Sequence, residues 1–228
     1  MSRKLTAVIA AIVAVLLVAE ASGARAAENP ALNDEILRLS LEWEHVKFQV
    51  SNLDEQEKQM AVIALHAADI EQRFRNSPEA AIWVGIITSE QASLASENGS
   101  PFKALGFAKA ARDILEKVEK VAPMALDAGA PTSLGVLYYR VPRFPIGFGD
   151  KSKARHYLQE AIRNAPNGLD ANYFYGDFLY EQGEYPEAVT VLKRALILPR
   201  HPDRPIWDQS RRLVIQDLLT KMERNVRP

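Results

Sequence analysis

The sequence predicts an all-α protein, in which an N-terminal helical hairpin precedes a short solenoid of paired helices and a C-terminal capping helix. Apolar residues recur along almost the whole chain at alternating intervals of three and four, the spacing of one helix face. The pairs Ser77-Pro78 and Ser100-Pro101 are typical of helix starts. A pattern in the C-terminal half returns after 34 positions, which is the length of a two-helix repeat.

The N-terminal segment 1–26 has the layout of a cleaved signal peptide. Arg3 and Lys4 precede an apolar run, and Ala24-Arg25-Ala26 is a small-x-small cleavage pattern. The run has about 15 residues, fewer than the roughly 20 that a membrane-spanning helix needs. We therefore expect an exported, periplasmic protein that begins near Ala27 and keeps no stable membrane anchor after cleavage. The alternative is that this segment stays attached as an N-terminal anchor in the inner membrane.

The segment 27–76 predicts the helical hairpin. Two apolar stripes with helical spacing are separated by a short break at Ser51-Asn52-Leu53, so the two helices should pack against each other. Asn52, with Glu55 three positions later, marks the start of the second helix. The stripes comprise Ile36, Leu39, Trp43, Val46 and Val50, and then Met60, Ile63, Ala67, Ile70 and Phe74.

The segment 77–228 predicts a helical repeat domain. Two helices follow the serine-proline pairs, and the second of them is expected to end near Val121. A stretch rich in Ala, Gly and Pro over 123–131 is expected to be a loop. A final apolar helix over 205–225 should cover the last repeat as a capping helix.

The two best repeats are expected over 135–168 and 169–202. Pro142 and Pro145 interrupt the first helix of the earlier repeat, so this helix should end near Arg140 and leave an irregular loop. The apolar residues of that loop should pack against the repeat or line a pocket; they are Phe144, Ile146 and Phe148. The recurring pattern consists of Gly149, Ala154, Leu158 and Ala161, which return as Gly183, Ala188, Leu192 and Ala195.

Composition excludes several functional classes. The chain has 228 residues, 47% hydrophobic and 25% charged, as in ordinary globular proteins. The 28 Lys and Arg residues are balanced by 29 Asp and Glu residues, which excludes a strongly basic nucleic-acid surface. The absence of cysteine excludes disulfides, cysteine-based zinc sites, thiol catalysis and a lipid-modified cysteine.

Several segments carry a resemblance to a known family. They are Ala81-Ile-Trp-Val-Gly-Ile86, Ser133-Leu-Gly-Val-Leu-Tyr-Tyr139, Pro145-Ile-Gly-Phe-Gly-Asp150 and Asn172-Tyr-Phe-Tyr-Gly-Asp-Phe178. The 34-residue units resemble tetratricopeptide repeats. The region 75–220 resembles a group of exported bacterial tetratricopeptide-repeat proteins that includes the T component associated with TRAP transporters (TatT-like). The T component is expected to be a lipoprotein, whereas this chain has no cysteine to acylate, so a relative without a lipid anchor fits better.

The resemblance implies that the first helix of each repeat lines a concave binding face. Tyr139 then corresponds to Tyr173, and Arg143 to Asp177, one repeat earlier. The face would be aromatic and mostly acidic, which suits cationic or polar partners. The candidate binding residues are Tyr139, Arg143, Asp170, Tyr173, Asp177, Tyr180 and Glu181, and the candidate loop pocket is formed by Phe144, Ile146 and Phe148. Arg211 and Arg212 either face solvent or form salt bridges to this groove.

These observations favour an exported, non-enzymatic scaffold that binds a protein or peptide, a transporter subunit being one such partner. The alternative is an accessory subunit of a solute transport system, similar to the T component, that binds a small ligand. The four histidines are scattered without metal-ligand spacing, and no catalytic or cofactor motif can be recognised. We therefore expect no enzymatic activity, no metal, no cofactor and no nucleic-acid partner.

Overall fold

The computed structural model describes residues 29–226, and the predicted signal peptide lies outside them. Those residues form nine α-helices, which confirms the all-α prediction, and a single isolated bridge joins Arg143 to Gly149. Residues from Ala31 onwards belong to one compact unit. The helices are α1 Pro30–Gln49, α2 Leu53–Arg73, α3 Pro78–Glu97, α4 Pro101–Glu119, α5 Ala125–Arg140, α6 Lys151–Asn164, α7 Leu169–Glu181, α8 Tyr185–Leu196 and α9 Pro205–Val226. Within the described range, no helix has the length and apolarity that a membrane crossing requires.

Helices α1 and α2 form the expected antiparallel hairpin. Asn52 caps α2, because its side-chain oxygen accepts the backbone N–H of Glu55 at 2.9 Å. His66 contacts Glu42 near the middle of the two helices. The apolar stripes predicted from spacing supply the buried face, which includes Leu39, Trp43, Val46, Met60, Ile63, Ala67 and Ile70.

Three equivalent helix pairs follow, each marked by a glycine that faces a leucine. A Cβ atom on Gly85 would lie 2.6 Å from the Cγ atom of Leu115, so only glycine allows α3 and α4 to cross this closely. Equivalent contacts join α5 to α6 through Gly135 and Leu158, and α7 to α8 through Gly176 and Leu192. In both pairs a Cβ atom on the glycine would lie 2.5 Å from the Cγ atom of the leucine. The packing therefore repeats from α3 to α8.

The two best repeats differ in the length of the loop between their helices. Leu192 follows Leu158 by 34 positions, whereas Gly176 follows Gly135 by 41. The difference arises because α5 and α6 are joined by residues 141–150, and α7 and α8 only by residues 182–184. The predicted alignment of the first helices is therefore wrong.

The observed contacts give a different correspondence between the first helices. The 41-residue offset places Thr132, rather than Tyr139, at the position of Tyr173, and Tyr139 at the position of Tyr180. Arg143 has no counterpart on α7, because it lies in the longer loop. Only the second helices of the repeats carry the 34-residue spacing that the sequence displays.

Helix α5 begins with a left-handed turn in the stretch that was expected to be a loop. Leu126, Asp127 and Ala128 have φ values of 48°, 50° and 59°, and regular right-handed helix follows them. Pro131 lies in the first turn after this kink. A backbone N–H at this position would have no acceptor within the helix, so proline removes no helical hydrogen bond. The turn lies beside the cavity described below.

The first helices form one continuous row. α3 contacts α5, α5 contacts α7, and α7 contacts α9. Trp43 on α1 packs edge-on against Trp83 on α3, with ring centroids 5.9 Å apart. The predicted capping helix α9 covers the last repeat with Trp207, Ile215, Leu218 and Met222, whereas Leu213 on the same helix is 57% exposed.

Candidate functional site

A cavity of about 210 Å³ lies on the inner side of the row of first helices. Helices α1, α3, α5 and α7 and the start of α9 all contribute to its wall, so it exists only once the five elements have packed together. We call it the inner cavity. Its wall combines aromatic and aliphatic side chains with a small set of polar groups, as ligand sites usually do. The lining includes Trp43, Trp83, Thr132, Asp170, Arg204, Trp207 and Arg211.

Arg204 lies among all three tryptophans of the chain. Its guanidinium carbon is 4.5 Å from the ring centroid of Trp207 and 5.6 Å from those of Trp43 and Trp83. Cation–π attraction at these distances holds the planar group in a narrow slot between the rings. Arg204 immediately precedes Pro205, the first residue of α9, so the docking of α9 fixes its position.

Several buried polar atoms of this region have no hydrogen-bonding partner among residues 29–226. They are Nε and Nη2 of Arg204, Nε1 of Trp43 and of Trp83, Oγ1 of Thr132 and Oε1 of Glu44. Thr132 and Trp83 are only 4% and 5% exposed. Each buried polar group without a partner costs about 1–3 kcal/mol, so such a concentration of them is a feature of binding sites rather than of ordinary cores.

Glu44 joins the two ends of the row of first helices. It is completely buried, and its Oε2 atom accepts the backbone N–H of Trp207 at 2.7 Å. Burial lowers the pKa of Arg204, and the carboxylates of Asp170 and Glu44 oppose that shift. The ordinary pKa of arginine is far above neutrality, so Arg204 keeps its positive charge.

Asp170, a predicted binding residue, lines the inner cavity but is held by α9. Its Oδ1 atom accepts a hydrogen bond from Nε of Arg211 at 2.6 Å, and its Oδ2 atom accepts one from the indole of Trp207 at 3.1 Å. The guanidinium of Arg211 lies over Tyr173 and Phe174, 4.3 Å and 4.8 Å from their ring centroids. The salt bridge from this arginine to the acidic face is therefore present.

Arg212 behaves differently from its neighbour. It pairs with Asp208 one turn earlier and donates to carbonyl groups after α8, including those of Leu198 and Pro199. Both arginines thus attach α9 to the last repeat. Tyr173 is 7% exposed beneath Arg211, so little of its ring faces solvent, and its role in binding stays a prediction. The sequence could not show this, because α9 covers the residue only after folding.

Asp177 and Tyr139 belong to a second internal cluster. The Tyr139 hydroxyl and Nη2 of Arg140 each donate to Oδ2 of Asp177 at 2.6 Å, and Asp177 is 8% exposed. Burial and the neighbouring carboxylate raise the pKa of Tyr139 well above its ordinary value. This carboxylate joins α5 to α7 and is largely buried, so a binding role for Asp177 also stays a prediction.

The two remaining predicted residues of α7 lie at its end. Tyr180 packs against Tyr185 with ring centroids 5.7 Å apart, and it is half-buried. Glu181 is exposed, yet partial desolvation of its carboxyl group raises its pKa. Neither residue lines the inner cavity, so the structure does not bring the seven predicted binding residues together in one groove.

The loop between α5 and α6 does not form the predicted pocket. Phe144 and Ile146 are 88% and 71% exposed, and Arg143 is exposed as well. Of the three apolar residues of the loop, only Phe148 packs inward. The ring of Phe148 contacts Tyr138 edge-on at 5.5 Å and lies under Arg112 at 4.5 Å.

Glycine packing explains the outward orientation of the loop. Gly149 lies so close to Val141 that a Cβ atom on the glycine would be 1.9 Å from the Val141 carbonyl oxygen. The N–H of Gly149 donates a hydrogen bond to the carbonyl of Pro142. The ends of the loop are therefore drawn together, and the residues between them project into solvent.

The lining of the inner cavity supplies groups that can recognise a ligand. Hydroxyl groups of Ser89, Thr132 and Ser133 line it, but no histidine does within the described part of the chain. Those same residues contain no cluster of three or more metal-ligating side chains. The arginine, indole and hydroxyl donors can hold a ligand that carries acceptor atoms, and the rings can hold an apolar body.

Apart from Asp170 and Arg211, sequence reasoning did not find the residues that form this site. Trp43 belongs to the apolar stripe of the first helix, and no pattern in the sequence singles out Thr132 or Arg204. The one available signal was that all three tryptophans fall on helices of the row of first helices, namely α1, α3 and α9.

Comparison with known proteins identifies one part of the chain. Residues 146–205 match the tetratricopeptide repeat family model. No curated protein sequence matches the chain significantly. The alignment with the solved structure of MamA MSR-1 C2 covers 86% of this chain and 94% of the MamA chain, with 15% sequence identity and a TM-score of 0.39. The alignment with the de novo designed helical repeat protein DHR64 covers 85% of this chain and 98% of the designed chain, with 19% sequence identity and a TM-score of 0.38. Residues 146–205 therefore form a tetratricopeptide repeat, a fold that generally binds protein partners rather than catalysing reactions.

Proposed function

We propose that this protein is an exported, non-enzymatic tetratricopeptide-repeat scaffold that binds a partner protein or peptide in the periplasm, with an apolar side chain of the partner entering the inner cavity. The observation that carries the proposal is the group of buried, unpartnered polar atoms around Arg204 and the tryptophans. The cavity lies along the row of first helices, which is the surface that helical-repeat proteins use to bind partners.

The cavity suits an anchoring side chain. Its tryptophans offer rigid apolar surface, and interfaces draw most of their affinity from a few such anchors in buried pockets. Export rests on the basic and apolar N-terminal segment with its small-x-small pattern. The absence of catalytic activity is supported by the lining of the cavity, in which the hydroxyl groups have no histidine beside them among the described residues.

A second candidate function is an accessory role in solute transport, with a small molecule as ligand. The cavity volume of about 210 Å³ is enough to hold a small organic compound. The polar atoms without partners would fix the orientation of such a compound as well as that of a side chain.

Selection of peptides from a displayed library against the purified protein tests the proposal. We expect selected peptides to bind the native protein and to bind Ser133→Leu at least about tenfold more weakly, because the leucine projects into the cavity. Ser93→Leu is the matched control, since Ser93 is exposed on α3. Equal affinity for both variants would contradict the proposal.

Export has its own test. N-terminal sequencing of the protein recovered from a periplasmic extract should show a chain that begins near Ala27. Recovery of the protein only from cytoplasm, with its first 26 residues intact, would contradict export without affecting the binding proposal.

A further inference from the structure

We propose that the inner cavity recognises an organic monocarboxylate with an apolar body, whose carboxylate pairs with the Nε–Nη2 edge of Arg204 while the body lies among the tryptophans. The inference deepens the proposed function and rests on the inner cavity being a binding site. It concerns the chemistry of the ligand, which is the same whether the carboxylate belongs to a free small acid or to the end of a peptide.

The two unpartnered nitrogens of Arg204 form a matched pair. Nε and Nη2 carry N–H bonds that point in the same direction from one edge of the guanidinium. A carboxylate accepts both through two parallel hydrogen bonds, the geometry for which arginine is selected over lysine. Both nitrogens are buried and lack a partner among residues 29–226, so the complete edge is available to a ligand.

The other buried polar groups also favour a ligand that accepts hydrogen bonds. Indole nitrogens only donate, and those of Trp43 and Trp83 are unpartnered within the described range. Thr132 adds a hydroxyl that can donate. Among the buried polar atoms of this region in the described chain, Glu44 supplies the single carboxylate oxygen without a partner. Donors therefore outnumber acceptors, which suits an anion with two oxygens better than an amine or an alcohol.

Charge pairing limits the ligand to one anionic group. Arg211 is neutralised by Asp170 at 2.6 Å, and Glu90 is neutralised by Lys47 at 2.6 Å. Among the described lining residues, this leaves Arg204 as the cation without a hydrogen-bonded carboxylate. A second anionic group on the ligand would face Asp127 without a cation to receive it.

The remainder of the wall defines the body of the ligand. Ile86, Val136 and Leu169 line the cavity together with the tryptophan rings. Aromatic or branched aliphatic groups fill such a space with little loss of conformational entropy. Phenylacetate and 4-methylpentanoate are therefore suitable probes, and each has a neutral amide of the same shape.

Isothermal titration of the full-length protein with phenylacetate, 4-methylpentanoate and their two amides tests the inference. We expect at least one acid to bind and its amide to bind at least about tenfold more weakly, because a charged hydrogen bond is lost. Arg204→Lys retains the charge but not the paired N–H edge, and Arg204→Gln retains neither. Both variants should lose at least about tenfold in affinity for the acid.

Arg200→Gln is the matched control, because Arg200 lies four residues earlier, is exposed and pairs with Asp208. It should bind the acid like the native protein, and circular dichroism should show the same helical content for all variants. Peptides with a free or an amidated C-terminus separate the two sources of the carboxylate. Binding of the free-carboxylate peptide alone supports the inference with a peptide as the source.

Three results would overturn the inference. The first is equal affinity for an acid and its amide, which would show that the cavity recognises only the apolar body and would leave the proposed scaffold function intact. The second is acid binding that Arg204→Gln does not change. The third is the failure of every carboxylate, free or peptide-borne, to bind while library-selected peptides without one still do. Failure of the proposed function itself would appear separately, as insensitivity of peptide binding to Ser133→Leu.

Discussion

Glu44 on α1 accepts the backbone N–H of Trp207 on α9 at 2.7 Å, across a separation of 163 residues in sequence. The N–H belongs to the first turn of α9, where backbone donors have no partner within the helix. A carboxylate at this end also interacts favourably with the helix dipole. The bond therefore fixes the start of α9, and with it the position of Arg204 between the tryptophans.

Replacing Glu44 by alanine should destabilise the protein. The Trp207 N–H would remain buried without a partner, and we expect a loss of about 1–3 kcal/mol in the free energy of unfolding by urea. Glu42→Ala is the control, because Glu42 forms an exposed pair with His66 that contributes about 0–1 kcal/mol. If the two variants were equally stable, Glu44 would not hold α9 in place.

The glycine–leucine contacts predict opposite effects of the same substitution at two sites. Gly176→Ala should destabilise the protein by about 1–3 kcal/mol, because the new Cβ atom would lie 2.5 Å from Leu192. Gly106→Ala on α4 meets nothing within 4 Å and should stabilise by about 0.5–1 kcal/mol. Thermal unfolding of both variants distinguishes the cases. The loss in Gly176→Ala/Leu192→Ala should be smaller than the sum of the two single losses, because the shorter side chain relieves the clash. A stable Gly176→Ala variant would mean that α7 and α8 do not cross at this glycine.

Asp208 predicts a specific loss of stability in acid. Burial opposes the shift, but hydrogen bonds from Arg212 and the His201 N–H, with the charges of Arg212 and Arg200, hold the pKa of Asp208 below its ordinary 3.8. A lowered carboxyl pKa contributes stability that is complete above pH 3.8 and disappears as the pH falls through the folded-state value. Urea unfolding from about pH 5 to about pH 2 should therefore show a decline that Asp208→Asn lacks.

At neutral pH, Asp208→Asn should itself cost about 3 kcal/mol, because Arg212 is 6% exposed and would keep a buried charge without its carboxylate. Arg200 is exposed, so its contribution should be small. Parallel acid profiles for the native protein and Asp208→Asn would show that this carboxylate does not act as the acid-sensitive group.

The loop between α5 and α6 predicts unequal effects of two similar substitutions. Phe148→Ala should cost about 1–3 kcal/mol, since its ring contacts Tyr138 and Arg112 but remains half-buried. Phe144→Ala should change the free energy of unfolding by no more than about 0.5 kcal/mol, because the side chain is 88% exposed. A large effect of Phe144→Ala would mean that this loop packs against the protein in solution.

Local patterns in the sequence predicted the helices well. The stripe through Leu39 and Trp43, the cap at Asn52 and the starts at Pro78 and Pro101 all correspond to features of the structure. Each depends on contacts between neighbours a few positions apart, which spacing and residue type determine. The second helices of the repeats were predictable for the same reason, because Ala154 and Leu158 and their counterparts keep a constant spacing.

The inner cavity was not predictable, because its residues meet only through tertiary packing. Trp43, Trp83, Thr132 and Arg204 lie on separate elements, and nothing in their local sequence distinguishes a cavity wall from a core position. Packing between helices also removed two predicted binding residues from the surface, Tyr173 beneath α9 and Asp177 between α5 and α7. Arg211 covers Tyr173, and Asp177 is bound by Arg140, neither of which a repeat alignment reveals.

The most direct test of the inner cavity as a binding site is nuclear magnetic resonance of the tryptophan indole N–H groups, assigned by single Trp→Phe substitutions. Titration with phenylacetate or a library-selected peptide should shift the signals of Trp43 and Trp83 saturably, because these N–H groups are buried and unpartnered in the described structure beside Arg204. The phenylacetate-induced shifts should be absent in Arg204→Gln. Binding that is detected by calorimetry but leaves both indole signals unchanged would contradict the account.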